Sequence, residues 1–382
     1  MGKSYYIFSA LYFPSTYGVE RYTYNIAKKL IERGNKVTVI TSNVFNLQDY
    51  QISEDISIYR LPCFNLLKGR FPVLKLNKKC LTLIKELKKN KADFVIVNTR
   101  FYPHSLFGVQ FAKKMKSRCI LIEHGTSHVS VNNKIMDSIG EVYEHFITFL
   151  IKQKCGEFYG VSEACNQWLK HFSIKAKSTI YNSIDIENIN NIIKDSKSNI
   201  RNDYNLTKND IIITYTGRLV REKGILNLIE AVNEINKKYS NVYLFIAGEG
   251  NLIDEIKKVK TKNIFVLGKI SFEKVIELLK QSDIFCLPSD SEGFPTSVLE
   301  AAACKSFVIT TKNGGAKELI INDDYGIIMQ SNSTNEIYDS IIKAIENREW
   351  AESAVEKTYN RLIQNFTWDK AADKIVQIGG EK

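Results

Sequence analysis

Two glutamates eight positions apart, Glu292 and Glu300, bracket the most informative stretch of this 382-residue chain, Glu-Gly-Phe-Pro-Thr-Ser-Val-Leu-Glu. The apolar run Ile284-Phe285-Cys286-Leu287 before it reads as a buried strand, and Pro295 stands where a helix would begin. The first-turn N–H groups of a helix have no partner inside the helix. The amides from Thr296 through Ser297 and Val298 to Leu299 are therefore expected to hold an anion. Carboxylates on either side could grip hydroxyls, and a phosphorylated sugar carries both kinds of group. The pair could also be the acid and base of a hydrolase, but the amides between them favour phosphate binding.

Other candidates lie at the ends of apolar runs. Gly217-Arg218 follows Ile211–Tyr215, with Lys223-Gly224 five positions on. A planar guanidinium and a mobile ammonium together could neutralise a diphosphate. Glu123-His124-Gly125 follows Cys119–Ile122, where a histidine could donate to substrate oxygens and Glu123 could orient it. Gly18 and Gly268 would let backbone approach a ligand, Gly268 offering a surface for a flat base. No Asp-x-Asp follows a strand and no His/Cys set has zinc spacing, so no metal is expected.

Such residues need a scaffold that gathers strand ends. Short apolar runs alternate with helical patterns from Tyr5 to Ile40, and again from Ile211 to Ile309. That alternation predicts α/β architecture, two successive doubly wound halves with ligands beyond the C-terminal strand ends. The polar, Asn-rich stretch 183–210 holds the junction.

Hydrophobic content of 44% and charged content of 25% suit a globular enzyme. Seven scattered cysteines without Cys-x-x-Cys spacing read as buried thiols in a reducing cytosol. The net charge of +11 is uneven: residues 1–181 hold 27 Lys and Arg against 13 Asp and Glu. The first half should thus meet an anionic partner, nucleic acid or a membrane. Leucines and Ile84 alternate with Lys75, Lys78, Lys79 and Lys85 between Leu66 and Lys91, and Lys113-Lys114-Met115-Lys116 adds a second patch. These stretches lack the aromatic interleaving of base-stacking proteins, and a basic amphipathic segment favours the membrane over nucleic acid.

The order and spacing of Gly18-Val19-Glu20-Arg21, Glu123-His124-Gly125, Val161-Ser162-Glu163, Gly217-Arg218…Lys223-Gly224, Leu267-Gly268, Glu292…Glu300 and Phe366-Thr367-Trp368 resemble the retaining family-4 glycosyltransferases of the GT-B fold (glycosyl transferases group 1). The resemblance implies two Rossmann-like domains facing a central cleft. Residues 1–180 would choose the acceptor, 181–360 would bind a nucleotide-sugar, and 361–382 would be a helix crossing back. It implies that Arg218 and Lys223 bind the diphosphate and stabilise the leaving group, while Glu300 holds the ribose. Glu292 would contact the sugar, in a pocket shaped by Gly293, Phe294 and Pro295. His124 would stand near the transferring ring, and Gly18 near phosphate or acceptor. No cofactor is required beyond the donor, with UDP-linked sugars the default and GDP-linked ones the alternative. The leaving phosphate itself would take the acceptor's proton, so no protein base is needed. With the basic first half as acceptor domain, its charge points to a lipid-linked glycan acceptor and to the cytoplasmic face of an anionic membrane. Two positions depart from the family pattern. Tyr17 stands before Gly18 where a second glycine is common, and Ser183 follows Asn182 where glycine is usual. A phosphorylase or nucleotide-sugar epimerase on the same fold, or a non-catalytic basic scaffold, is the competing expectation.

Overall fold

The computed structural model describes residues 2–15, 18–130, 133–259 and 261–380, apart from the side chain of Lys68. Tyr17 lies outside the described residues. The chain forms two compact units. Unit 1 comprises the residues up to Asn182 together with those from Trp368, and unit 2 runs from Ser183 to Thr367.

Unit 1 is built on ten strands: β1 (Ser4–Phe8), β2 (Lys36–Ser42), β3 (Tyr50–Ser53), β4 (Ile56–Leu61), β5 (Cys63–Leu66), β6 (Phe71–Leu74), β7 (Phe94–Asn98), β8 (Arg118–Glu123), β9 (Glu157–Gly160) and β10 (Ser178–Thr179). Eight form one sheet in the order β10-β9-β8-β7-β1-β2-β4-β3, parallel except for the β3–β4 edge. β1 and β7 are continuous apolar runs because they lie mid-sheet with both faces covered. Helices α1 (Gly18–Glu32), α2 (Lys78–Leu87), α3 (Pro103–Met115), α4 (Lys134–Lys152) and α5 (Glu163–His171) accompany them. Helix α1 buries Ile26, Ala27 and Leu30, and Gly34 (φ +75°) ends it in the left-handed conformation that glycine adopts freely.

The basic stretch 66–91 is not one amphipathic element. Its first part is the antiparallel hairpin β5–β6. Only Lys78–Leu87 is helical, and that helix turns Cys80, Ile84 and Leu87 into the core. The alternating leucines mixed two local patterns that periodicity alone did not separate.

Unit 2 contains α6 (Ile186–Asp195), α7 (Ile200–Asp203), β11 (Ile211–Thr216), α8 (Ile225–Ile235), β12 (Val242–Ala247), α9 (Ile253–Ile256), β13 (Ile264–Gly268), α10 (Phe272–Lys280), β14 (Ile284–Leu287), α11 (Thr296–Ala303), β15 (Phe307–Thr311), α12 (Ala316–Leu319), β16 (Ile327–Met329), α13 (Thr334–Glu346) and α14 (Arg348–Asn365). Its six parallel strands follow the order β13-β12-β11-β14-β15-β16. The strand order reverses between β11 and β14, where Ile213 pairs with Ile284 and Thr214 with Phe285.

The return segment starts at Trp368, later than the 361 expected from sequence. Helix α14 stays with unit 2, its Trp350 ring packing edge-on against Phe307 at 5.1 Å. The last helix, α15 (Trp368–Gly380), lies on α1 of unit 1. Lys29 and Arg33 of α1 reach Asp369 and Asp373 of α15 at 2.7 to 3.2 Å. Partly exposed pairs of this kind contribute about 1 kcal/mol each. Burial of Trp368, Ala371, Ala372, Ile375 and Ile378 holds the helix more firmly, at about 1.5–3 kcal/mol for each large side chain.

Candidate functional site

Where the strand order of a doubly wound sheet reverses, the loops leaving two adjacent strands diverge and open a crevice at the strands' C-terminal ends. Unit 2 has such a point after β11 and β14, and Arg218, Lys223 and Glu292 lie on the loops that leave those two strands. Lys223 closes a single 3-10 turn after β11 and Gly224 (φ +66°) precedes α8. A Cβ on Gly224 would lie 2.1 Å from the carbonyl oxygen of Pro288, so only glycine lets the two loops meet. The Asp290 N–H donates to the Glu222 carbonyl at 2.8 Å and fastens them. From this position the Lys223 ammonium donates to Glu292 Oε1 at 2.5 Å and to the Ser291 carbonyl at 3.1 Å. Lys223 is 9% exposed. The Arg218 side chain is exposed, and its carbonyl accepts from the Tyr215 phenol at 2.8 Å. Burial, reinforced by the nearby Glu292 carboxylate, raises the Tyr215 pKa and keeps that phenol a donor.

The glycines of neighbouring strand ends form a backbone shelf. The Gly217 N–H donates to Ala247, and the Gly248 N–H to Gly268 at 2.8 Å. A Cβ on Gly248 would sit 1.8 Å from the Gly217 oxygen, whereas one on Gly268 (φ +67°) would meet nothing within 4 Å. The first surface is closed by backbone contact, and the second is open to a flat ligand.

Several expected residues sit differently. Pro295 is the N-cap of α11, one position before the first turn. The Val298 N–H donates to the Pro295 carbonyl at 3.2 Å, and Val298 is fully buried. Among the described residues, the first-turn N–H groups of Thr296 and Ser297 remain without a hydrogen-bond partner, so the anion site is narrower than sequence implied. Phe294 is buried against Phe366, ring centroids 5.2 Å apart, and supports the loop from beneath. Gly293 accepts from the Gly315 N–H at 2.8 Å. Glu300 is 5% exposed, one and a half turns into α11, and helps burial push the Cys304 thiol up to about 12.

Unit 1 has its own reversal point, between β1 and β7. A cavity of about 200 Å³ there is lined by Ser9, Leu11, Glu20, Thr99, Tyr102 and His124, among others. Gly18 opens α1 and is exposed, but the buried group of that first turn is Glu20, a carboxylate that would repel phosphate. His124 Nε2 lies 3.1 Å from Asn98 Oδ1, while the Asn98 amide donates to Thr23 at 2.8 Å. That chain places the imidazole proton on Nε2. Burial lowers the His124 pKa to about 3, so the ring is neutral and its Nδ1 is an acceptor. A histidine donating to substrate oxygens, as sequence position implied, is thereby reversed: the group that can meet a ligand accepts.

The turn carrying His124 is held from below. Glu123 Oε1 accepts from the N–H groups of His124 and Gly125 at 3.1 and 3.0 Å. Glu123 Oε2 faces the buried Arg100 at 3.1 Å, and Arg100 in turn reaches Glu144 at 2.9 Å. The sequence gives no role to Asn98, Thr99 or Tyr102, and names Glu20 only within the Gly18–Arg21 motif. One signal was present: Asn98 ends the otherwise apolar Phe-Val-Ile-Val run. Thr99 gave none, yet it is a β-branched residue at φ +61°, a backbone state costing about 1–3 kcal/mol that clusters at functional sites. The structure also gathers His128, His145 and His171, which no short spacing links.

Residues 16–188 match the family model described as Glycosyltransferase Family 4, and residues 196–365 the one described as Glycosyl transferases group 1. The uncharacterized glycosyltransferase MJ1069 of Methanocaldococcus jannaschii is 29% identical over 385 residues, 97% of each chain. The phosphatidylinositol N-acetylglucosaminyltransferase GPI3 subunit of Saccharomyces cerevisiae is 23% identical, over 99% of this chain and 83% of that one. Among solved structures, Anabaena Alr3699/HepE in complex with UDP shares the fold, with a TM-score of 0.73 at 17% identity and 99% of both chains covered.

Proposed function

Since this chain belongs to the group 1, family-4 glycosyltransferases and has their GT-B fold, we propose that it moves a sugar from a UDP-linked donor to a hydroxyl of a lipid-linked glycan, retaining the anomeric configuration. The observation that carries this reading is the Lys223–Glu292 ion pair at the reversal point of unit 2, with Glu292 and Arg218 both acting electrostatically on Tyr215. The family resemblance supports the retaining course. The UDP named with the Anabaena structure and the phosphatidylinositol acceptor named for the yeast subunit support the substrate classes.

In the proposed reaction, Arg218 and Lys223 meet the negative charge that grows on the departing phosphate. Positioned charge of this kind acts without reorganising as the bond breaks. Glu292 holds the ammonium in place and takes a sugar hydroxyl. Glu300, carried inside the unit on α11, takes the ribose hydroxyls, and the open face at Gly268 takes the base. In unit 1, His124 Nδ1 and Glu20 accept from sugar hydroxyls in the cavity. The leaving phosphate takes the acceptor's proton.

Exposed apolar residues support an acceptor held at a membrane. Ile135, Ile139, Val142, Phe146 and Phe149 stand exposed along one stripe of α4. The β5–β6 hairpin exposes Phe64, Leu66 and Leu67, and its Phe71 packs edge-on against Tyr143 of α4 at 5.6 Å. Apolar groups beside exposed Arg70, Lys75 and Lys78 suit the surface of an anionic bilayer. Among the described residues no helix is long and apolar enough to cross one.

Thermal-shift measurements with UDP, GDP and their sugars test the donor assignment. UDP is expected to raise the melting temperature of the parent chain, and Arg218→Ala or Glu300→Ala to abolish the rise without unfolding the protein. Variants that respond like the parent overturn the site.

A further inference from the structure

Three of the chain's five histidines converge on one point of unit 1: His128 in the loop after β8, His145 on α4 and His171 at the end of α5. The Nε2 of His171 lies 3.2 Å from that of His128 and 3.1 Å from that of His145. All three ligating nitrogens fall within 4.8 Å of one another.

Hydrogen bonding does not account for this arrangement. His128 turns its Nδ1 to the Glu144 carboxylate at 3.1 Å. A carboxylate accepts, so Nδ1 carries the proton and Nε2 offers a lone pair. The Nε2 of His171 holds either one proton or one lone pair, and neither satisfies two neighbouring nitrogens. A cation accepts all three lone pairs at once. Imidazole nitrogens bonded at 2.0–2.1 Å around a tetrahedral ion lie about 3.3 Å apart, close to the two spacings that His171 makes; the third pair, within 4.8 Å, closes on the ion by a small rotation of the exposed His145 ring.

We propose that His128, His145 and His171 bind a divalent transition-metal ion of the zinc class. The supporting groups are those such a site uses. Glu144 is a buried carboxylate fixing the orientation of His128, and the Trp168 ring stacks on His171 at 4.8 Å and 5°. Three histidines leave one tetrahedral position for water or another ligand. The ion clamps the loop after β8 to α4 and α5. Glu144 also pairs with Arg100, Arg100 with Glu123, and Glu123 with the backbone of His124 and Gly125. The clamp therefore braces the cavity wall without entering the sugar transfer, and it stands independently of the proposed donor.

The test uses the full chain without a polyhistidine tag, stripped with a chelator and dialysed against Zn²⁺. Elemental analysis should find about one zinc per chain, and titration with Co²⁺ should give the intense visible bands of a tetrahedral site. His145→Ala with His171→Ala changes exposed side chains, so the variant should fold as the parent does by circular dichroism. It should bind at least about tenfold more weakly and lose the cobalt bands. A folded parent that takes up no stoichiometric zinc overturns the proposal, as does a double variant that binds like the parent.

Discussion

The reversal points of the two units repeat one geometry and differ in charge. In unit 2 the loops present a guanidinium, an ammonium paired with a carboxylate, and bare backbone over three strand ends. In unit 1 the equivalent loops present a neutral imidazole, a buried carboxylate, a strained threonine and a tyrosine. The first can neutralise a diphosphate, whereas the second repels phosphate and accepts hydroxyl protons. Fold alone did not assign these roles, because both sheets offer the same crevice. The side chains that each loop carries to it did.

The largest effect should come from removing unit 2's cations. Arg218→Ala or Lys223→Ala is expected to lower kcat/KM by about 10²–10³-fold, the usual cost of one positioned group that meets developing charge. The UDP-induced thermal shift should vanish with it. If kinetics survive in either variant, the charge contrast between the two units is not what divides their work.

His124→Ala tests the other half. Loss of one hydrogen bond to substrate costs about 1–3 kcal/mol, so kcat/KM should fall about 5–150-fold while the UDP shift stays. A lost UDP shift would mean that unit 1 takes part in donor binding, and the comparison would have to be redrawn.

Acid should strike unit 1 through its buried histidines. His104 is fully buried between the Ile40 carbonyl and the Ser42 hydroxyl, and burial lowers its pKa to about 4. The unfolded chain binds that proton near pH 6.5 and the folded chain does not. Stability is therefore complete above about pH 6.5 and declines as pH falls toward 4. Between pH 6.5 and 5 one such histidine removes about 2 kcal/mol. Urea unfolding of His104→Gln should show a shallower decline than the parent over that interval.

Most of the scaffold was legible in the sequence because parallel strands covered on both faces are near-continuous apolar runs, as Tyr5–Phe8 and Ile211–Ile213 are. The donor-side candidates were legible for a related reason: strand ends are visible, and Arg218, Lys223 and Glu292 follow them directly. What escaped depended on distance along the chain. The β3–β4 edge and the β5–β6 hairpin are short and half-exposed, so no strong pattern marks them. Arg100, Glu123 and Glu144 form one buried chain from three separate elements. The orientation of His124 depends on Asn98, twenty-six residues earlier. The Phe294 ring could be read as pocket lining because only packing reveals Phe366 beneath it.

The smallest expected effect distinguishes two surfaces of unit 1, the lysines of α2 and the apolar tip of the β5–β6 hairpin. Each lysine near an anionic bilayer contributes about 1 kcal/mol, and salt screens it. Lys78→Glu should therefore weaken binding to phosphatidylserine vesicles at low salt by at least about fivefold, and by less at high salt. Exposed Phe64 and Leu67 act by removing apolar area from water, which salt does not screen. Phe64→Ser with Leu67→Ser should reduce vesicle co-sedimentation at both salt concentrations. If lysine and hairpin variants show the same salt dependence, the tip does not enter the bilayer and charge alone brings unit 1 to it. If neither variant changes binding, the membrane is not met by this side of unit 1.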